Sequence, residues 1–133
     1  MNDLRFEEIN HSLLKVLPEL KERYEQGLSW WEGPEPPGQY IVFGFVAKPA
    51  LWELLSSGSD SAFLKRIFSF FEEMAGSSDI HVVNLLQVSI LEGLVGERDR
   101  LTAAWGHMGE GTKKLARETA RIRRCEENLP PNK

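Results

Sequence analysis

Hydrophobic residues recur at three- and four-residue intervals along most of the chain, which is the pattern of amphipathic helices. The pattern predicts a first helix from Asp3 to about Leu17, which ends there because Pro18 has no backbone N–H to donate. A second helix is expected from Pro18 to Gly27. Residues 29–39 are predicted to form a loop, since they contain three prolines and two glycines.

The segment 40–46 is the one ambiguous stretch of the sequence. Its β-branched and aromatic side chains favour a strand. However, the chain contains no second stretch of this kind, and a lone strand has nothing to pair with. We therefore expect a buried segment that is either extended or leads directly into a helix from Pro49 to about Ser56.

Four further helices are predicted, at 61–75, 79–95, 98–107 and 113–127. Ser59 or Asp60, the turn 77–79 and Thr112 offer N-caps for three of them. The helix 79–95 is apolar on nearly all sides, which is typical of the buried centre of a bundle.

The predicted fold class is all-α: a compact bundle of five to seven helices built from antiparallel helical hairpins, with a short extended segment at 40–46 as an alternative. The length of 133 residues fits one domain, placed at 1–128, and the tail 129–133 is expected to be flexible.

Composition narrows the class of protein. A single cysteine cannot form an internal disulfide, and no apolar run approaches the roughly 20 residues of a membrane span. The first residues show no secretory signal. We therefore expect a cytoplasmic protein that makes no membrane contact. The three histidines are far apart, so no metal site and no cofactor is expected.

The net charge of -4 is unevenly distributed. Residues 1–110 carry 9 basic and 17 acidic side chains, a balance of -8, whereas residues 111–133 carry 7 and 3, a balance of +4. The basic helix at the end of the chain could follow phosphates, but a helix that docks against the acidic body or projects into solvent is the better interpretation. Nucleic acid is therefore not the expected partner. The candidate binding residues of this helix are Lys113, Lys114, Arg117, Arg121 and Arg124.

No pattern of catalytic residues stands out. The glycine-rich turn 106–111 precedes a helix but lacks the spacing of a phosphate-binding loop, so a plain capped turn is the better interpretation. Adjacent glutamates on a helix, such as Glu72 and Glu73, point about 100° apart and are expected to be solvated. An enzyme would need Glu92, His107 and Glu110 to converge in one pocket. We therefore predict a protein that is not an enzyme.

Trp30 and Trp31 form the most distinctive surface candidate, in the proline-rich loop. Exposed tryptophans are enriched at interface hot spots, although both rings could equally pin the loop to the bundle. Glu32 and Glu35 would give this surface an acidic rim that suits a basic partner. These four residues are the predicted partner-binding site.

Several motifs resemble a known family: Leu17-Pro18-Glu19-Leu20, the stretch 40–44, the stretch 63–74 and the stretch 84–94. In this order they look like small bacterial helical domains associated with polymorphic-toxin loci, over roughly residues 10–118. The resemblance implies an immunity-type protein that binds and neutralises a cognate toxin domain, encoded by an adjacent gene. The basic segment after Arg117 departs from that pattern. A nucleic-acid-associated or regulatory protein that uses the basic helix 112–124 is the alternative.

Overall fold

The computed structural model describes residues 3–58 and 60–131. Within them the chain forms seven helices and no strand, which confirms the all-α fold class. A 3-10 turn, Phe6–Glu8, precedes the first helix, and another, Glu126–Asn128, follows the last. The helices are α1 (Ile9–Val16), α2 (Leu20–Gly27), α3 (residues 39–57), α4 (Ser61–Ala75), α5 (Ile80–Val95), α6 (Arg98–Trp105) and α7 (Glu110–Ile122).

The segment 40–46 is helical and leads directly into the helix that follows, so of the two alternatives the extended segment was wrong. It belongs to α3, which runs through Gln39–Val42, a π-helical stretch Phe43–Ala47 and Lys48–Ser57 without a break. Val42, Phe43, Val46 and Ala47 are buried, and this spacing is that of one helix face. Burial of that face outweighs the intrinsic preference of β-branched and aromatic residues for strands.

The helix α5 lies at the centre of the bundle, as its apolar sequence predicts. Seven of its side chains are fully buried: Val82, Leu85, Leu86, Ile90, Leu91, Leu94 and Val95. It packs against α4, α6 and α7, and against α3 through a second π-helical stretch, Gln87–Leu91. Two of its apolar residues, Ile80 and Val88, nevertheless remain exposed.

The helices α3 and α5 lie side by side and run in the same direction. At one end, the Phe6 ring lies between Tyr40 and His81, with ring centroids 6.2 and 5.8 Å away. In the middle, the two π-helical stretches contact each other. At the other end, Trp52 covers Gly93, where an added Cβ would lie 2.7 Å from the indole.

Two of the expected N-caps are present. The Asp60 carboxylate accepts a hydrogen bond from the backbone N–H of Phe63, and the Asp79 carboxylate accepts one from that of His81, each at 3.1 Å. Ser59 lies outside the described residues. At the other end of the chain, Leu129 packs against the core, whereas residues 132 and 133 of the expected tail are outside the described part.

Candidate protein-binding surface

The two neighbouring tryptophans of the loop have different environments. Trp31 packs against the hydrophobic core, and its indole N–H donates to the carbonyl of Glu35 at 2.8 Å. A Cβ added to Gly33 would lie 3.4 Å from the same ring, so the loop folds closely around it. Trp31 therefore holds the loop 28–38 in place, and this half of the predicted surface is structural.

Trp30 is half exposed, at 50 %, although its indole N–H donates to the carbonyl of Gly27 at 2.8 Å. Its ring meets Phe45 edge-on with a centroid distance of 5.3 Å, and Phe45 is itself 51 % exposed. Edge-to-face pairs of this kind hold aromatic rings in a fixed relative position. The hydrogen bond and the ring contact together present two large apolar side chains to solvent in a defined arrangement.

Most of the exposed large apolar residues lie on three elements that contact one another. Of the seven large apolar side chains that are exposed among the described residues, five lie on the loop, α3 or α5. We call them the apolar face: Trp30, Tyr40, Phe45, Ile80 and Val88. The elements that carry these residues contact one another: Trp30 touches Phe45, and the π-helical stretches that contain Phe45 and Val88 are in contact.

The helical part of this face carries no formal charge. Residues 36–47 and 80–91 contain no lysine, arginine, aspartate or glutamate, in a chain that is 27 % charged. Depletion of charge together with enrichment in aromatic residues is characteristic of the core of a protein–protein interface. π-helical turns are also frequent at functional sites, and both of those in the described residues lie here.

An acidic surface adjoins the aromatic residues. Glu32 and Glu35 are exposed on the loop. Residues 19–47 contain two basic and five acidic side chains, a balance of -3, and one of the basic residues, Arg23, forms an ion pair with Glu53. Beside Phe45, a shallow groove of about 300 Å³ is lined by Arg23, Gln26, Gly27, Phe45, Val46 and Pro49.

The glycine-rich turn before α7 is occupied by a side chain from another helix. The Glu72 carboxylate of α4 accepts hydrogen bonds from the backbone N–H of Gly111 at 2.8 Å, the backbone N–H of Thr112 at 2.9 Å and the Thr112 hydroxyl at 2.7 Å. Partial burial opposes ionisation of Glu72, but these hydrogen bonds outweigh it and lower its pKa below the usual value.

This contact changes two of the sequence-based interpretations. Thr112 does not cap α7 from in front, because the helix already begins at Glu110, and Glu72 takes the capping role instead. Glu72 is also not a solvated residue of an exposed helix face. A Cβ at Gly109 would lie 2.5 Å from the Glu72 carboxylate, and one at Gly111 would lie 2.9 Å from it, so the glycines make room for the internal carboxylate.

The basic candidates divide into two groups. Lys113 and Arg117 lie over the ring of Trp105, at 5.6 and 5.5 Å from its centroid, and are partly buried. Lys114, Arg121 and Arg124 are exposed, and none of the three forms an ion pair within residues 3–58 and 60–131. The basic helix therefore docks partly on the body and partly faces solvent.

The residues that an enzyme would need do not meet. Glu92 lies 3.9 Å from Arg123, just beyond the C-terminal end of α7, whereas Glu110 is the first residue of that helix, about 20 Å away along its axis. His107 is stacked on Phe68 with a centroid distance of 5.5 Å. Among the described residues no group of three or more potential metal ligands occurs.

Two further features concern the cysteine and the apolar helices. Cys125 is partly buried, and burial raises the pKa of its thiol. In the described part of the chain no single helix is long and apolar enough to cross a membrane. The helices α5 and α6 are long and apolar enough only when they are taken together, and they are bent by 116° relative to each other.

Comparison with known proteins gives one match. The family described as a domain of unknown function (DUF7674) matches residues 10–124, which span the bundle from α1 to the turn after α7. No curated protein and no solved structure matches the chain.

Proposed function

We propose that this chain, which belongs to the DUF7674 family of domains of unknown function, is a non-enzymatic protein-binding module that docks its partner on the apolar face. The observation that carries the proposal is the fixed pair Trp30 and Phe45: both rings are half exposed, and the segment 36–47 that contains Phe45 has no charged residue. Half-exposed aromatic rings held in place lose little conformational entropy when a partner covers them.

The aromatic pair supplies the anchor that a specific interface needs. Hot spots are enriched in tryptophan and tyrosine and lie near the centre of the contact, where water is excluded. Trp30 and Tyr40 are both exposed, as are the aliphatic side chains Ile80 and Val88. A partner that covers them removes their apolar surface from water, which favours association by about 25 cal/mol per Å² buried.

The charge around the anchor favours a basic partner. Glu32 and Glu35 lie on the loop that carries Trp30, and the chain from 1 to 110 has a balance of -8. Complementary charge at the rim of an interface accelerates encounter and suppresses association with acidic proteins. The proposed partner is therefore a protein with a basic binding surface.

The resemblance to domains of polymorphic-toxin loci suggests a biological setting for such a module. In this proposal the chain is a cytoplasmic immunity protein, and its partner is the toxin domain encoded by an adjacent gene. Binding alone neutralises a toxin when it covers the toxin's own working surface, so this role requires no catalytic group on the chain. A nuclease toxin with a basic nucleic-acid-binding surface would match the acidic rim.

Co-expression of the chain with the product of the adjacent upstream gene tests this function. We expect a stable complex that co-purifies, and loss of that complex when Phe45→Asp places a charge in the apolar face. Ile122→Asp is the matched control, because Ile122 is 68 % exposed and lies at the end of α7, outside the apolar face. Absence of a complex with the unaltered chain contradicts the immunity role.

A pair of charge reversals tests the acidic rim separately. Glu32→Lys together with Glu35→Lys should slow association with the basic partner at low salt, and the difference should shrink at high salt because exposed charges are screened. Glu126→Lys together with Glu127→Lys makes the same change of charge in the exposed turn after α7. If both pairs slow association equally, the loop is not the rim of the interface.

A further inference from the structure

The basic residues of α7 form a continuous stripe on the outer side of the bundle. At 100° per residue, Lys113, Arg117, Arg121 and Lys114 fall within about 100° of arc on the helix. The buried residues of α7 occupy the opposite side: Thr112, Leu115, Ala116, Thr119 and Ala120. Arg124 follows the helix, where a positive φ of 58° turns the chain. We call these five cations the α7 stripe.

The stripe is a local excess of positive charge on an acidic protein. Residues 110–124 contain six basic and two acidic side chains, a balance of +4, against -4 for the whole chain. Within the described residues no carboxylate lies within ion-pair distance of any of the five cations. At 0.1 M salt the Debye length is about 10 Å, so the distant acidic residues do not cancel this local field.

The position of Trp105 fixes part of the stripe. Lys113 and Arg117 both lie over its ring, while the indole itself is 96 % covered, with 4 % exposed. An arginine stacked on an aromatic face still directs the N–H groups at its edge outward, where they fit a phosphate. Because α7 rises 1.5 Å per residue, successive cations at 113, 117 and 121 lie about 6 Å apart along the axis.

The composition of the stripe indicates which kind of anionic ligand it can bind. A protein partner would need an apolar or aromatic anchor, and the one aromatic ring at the stripe, Trp105, is covered by cations. Stacking on single-stranded bases also needs exposed aromatic side chains. The stripe presents cations and no exposed aromatic ring, so it suits a ligand that is recognised through its phosphates.

We propose that the α7 stripe binds the phosphate backbone of double-stranded nucleic acid without sequence selectivity. This site is separate from the apolar face and does not depend on the proposed partner binding. Contacts to phosphate release counterions, so affinity falls steeply with salt, by about 0.9 log units per log unit of salt for each phosphate neutralised on duplex DNA. Five contacts correspond to a slope of about -4.5, or about a 500-fold loss of affinity between 50 and 200 mM salt.

Fluorescence anisotropy with a labelled 20-base-pair DNA duplex tests the site. The variant Lys114→Gln, Arg121→Gln, Arg124→Gln removes three exposed cations and should reduce the salt slope to about -1.8. The control variant Lys15→Gln, Lys21→Gln, Lys65→Gln removes the same charge from three exposed lysines outside α7 and should leave the slope unchanged. Thermal melts of both variants establish that they remain folded.

Three results would overturn the proposal. The first is no binding of the duplex to the unaltered chain at 20 mM salt. The second is an equal loss of binding in both triple variants, which would show that net charge and not the stripe is responsible. The third is displacement of the duplex by poly-glutamate at equal charge concentration, which would assign the stripe to an acidic protein partner.

Discussion

A carboxylate from one helix caps another helix in this protein. Glu72 of α4 receives the two backbone N–H groups and the hydroxyl that open α7, in the position where a bound anion lies at the N-terminus of other helices. Its negative charge is also favourable there because of the helix dipole. Glu72 therefore joins the C-terminal end of α4 to the start of the basic helix.

Glu72→Gln should lower the free energy of unfolding by about 1–2 kcal/mol at pH 7, since the charge-assisted hydrogen bonds weaken. The lowered pKa of Glu72 means that its stabilising effect is present above the usual value of 4.5 and is lost as the pH falls through the folded-state pKa. Urea unfolding should therefore show a difference in free energy of unfolding between the unaltered chain and Glu72→Gln at pH 7, and a smaller difference at pH 3. Glu73→Gln, at the exposed neighbouring position, should show little difference at either pH.

Gly93 is required by a close approach between helices. The Trp52 ring lies where a side chain at position 93 would be. The Arg100 guanidinium lies over the same ring, 4.5 Å from its centroid. Arg100 also donates to the carbonyl of Gly93 at 3.3 Å. This small cluster fixes how α3, α5 and α6 meet.

Gly93→Ala should destabilise the fold by about 1–3 kcal/mol, because the new Cβ forces Trp52 out of its position. Gly44→Ala is the matched control, since no atom lies within 4 Å of the Cβ it would add. In a helix, alanine is favoured over glycine by up to about 1 kcal/mol, so Gly44→Ala should be neutral or stabilising. Equal thermal midpoints for the two variants would show that Trp52 adjusts freely.

At the level of the elements, sequence periodicity predicts most of the helices. The helix at 61–75 is observed as Ser61–Ala75, and the buried helix at 79–95 as Ile80–Val95. Both have a clear apolar face and an aspartate N-cap, so local signals and tertiary packing agree there. The segment 40–46 shows the opposite case, because its strand-favouring residues are helical once one face of the helix is buried in the core.

The π-helical stretches and the Phe45 surface were not predictable from the sequence. Periodicity locates helix faces, but it does not show that a turn widens at Phe43–Ala47 and directs Phe45 outward. Trp30 and Trp31 carried a visible signal, yet adjacent identical residues gave no indication of which ring would be buried. The capping role of Glu72 depends on a contact 39 and 40 positions along the chain, which local rules cannot anticipate.

The central helix α5 gives the clearest test of the core. Ile90→Asp or Leu86→Asp should unfold the domain, because an unpaired buried charge costs about 3–5 kcal/mol and both side chains are fully buried. Val88→Asp, in the same helix but 48 % exposed, should remain folded. Circular dichroism melts of the three variants provide the measurement, and a cooperative native-like melt of Ile90→Asp would contradict the central position of α5.

The molecule has two surfaces of different chemistry, one apolar with an acidic rim and one basic. The apolar face with its acidic rim lies on the loop, α3 and α5, whereas the α7 stripe carries the basic charge. A formal net charge of -4 conceals this division. In the proposed function the first surface binds a basic protein, and in the further proposal the second contacts nucleic acid.

The binding affinity of the partner for single alanine variants tests the central proposal most directly. With the purified product of the adjacent gene, Trp30→Ala and Phe45→Ala should each weaken the complex about 30-fold, equivalent to a hot-spot contribution of about 2 kcal/mol. Ile122→Ala removes an apolar side chain that is more exposed than either ring but lies elsewhere, and it should change the affinity less than about twofold. Equal affinities for all three variants and the unaltered chain, with all of them folded, would contradict docking on the apolar face.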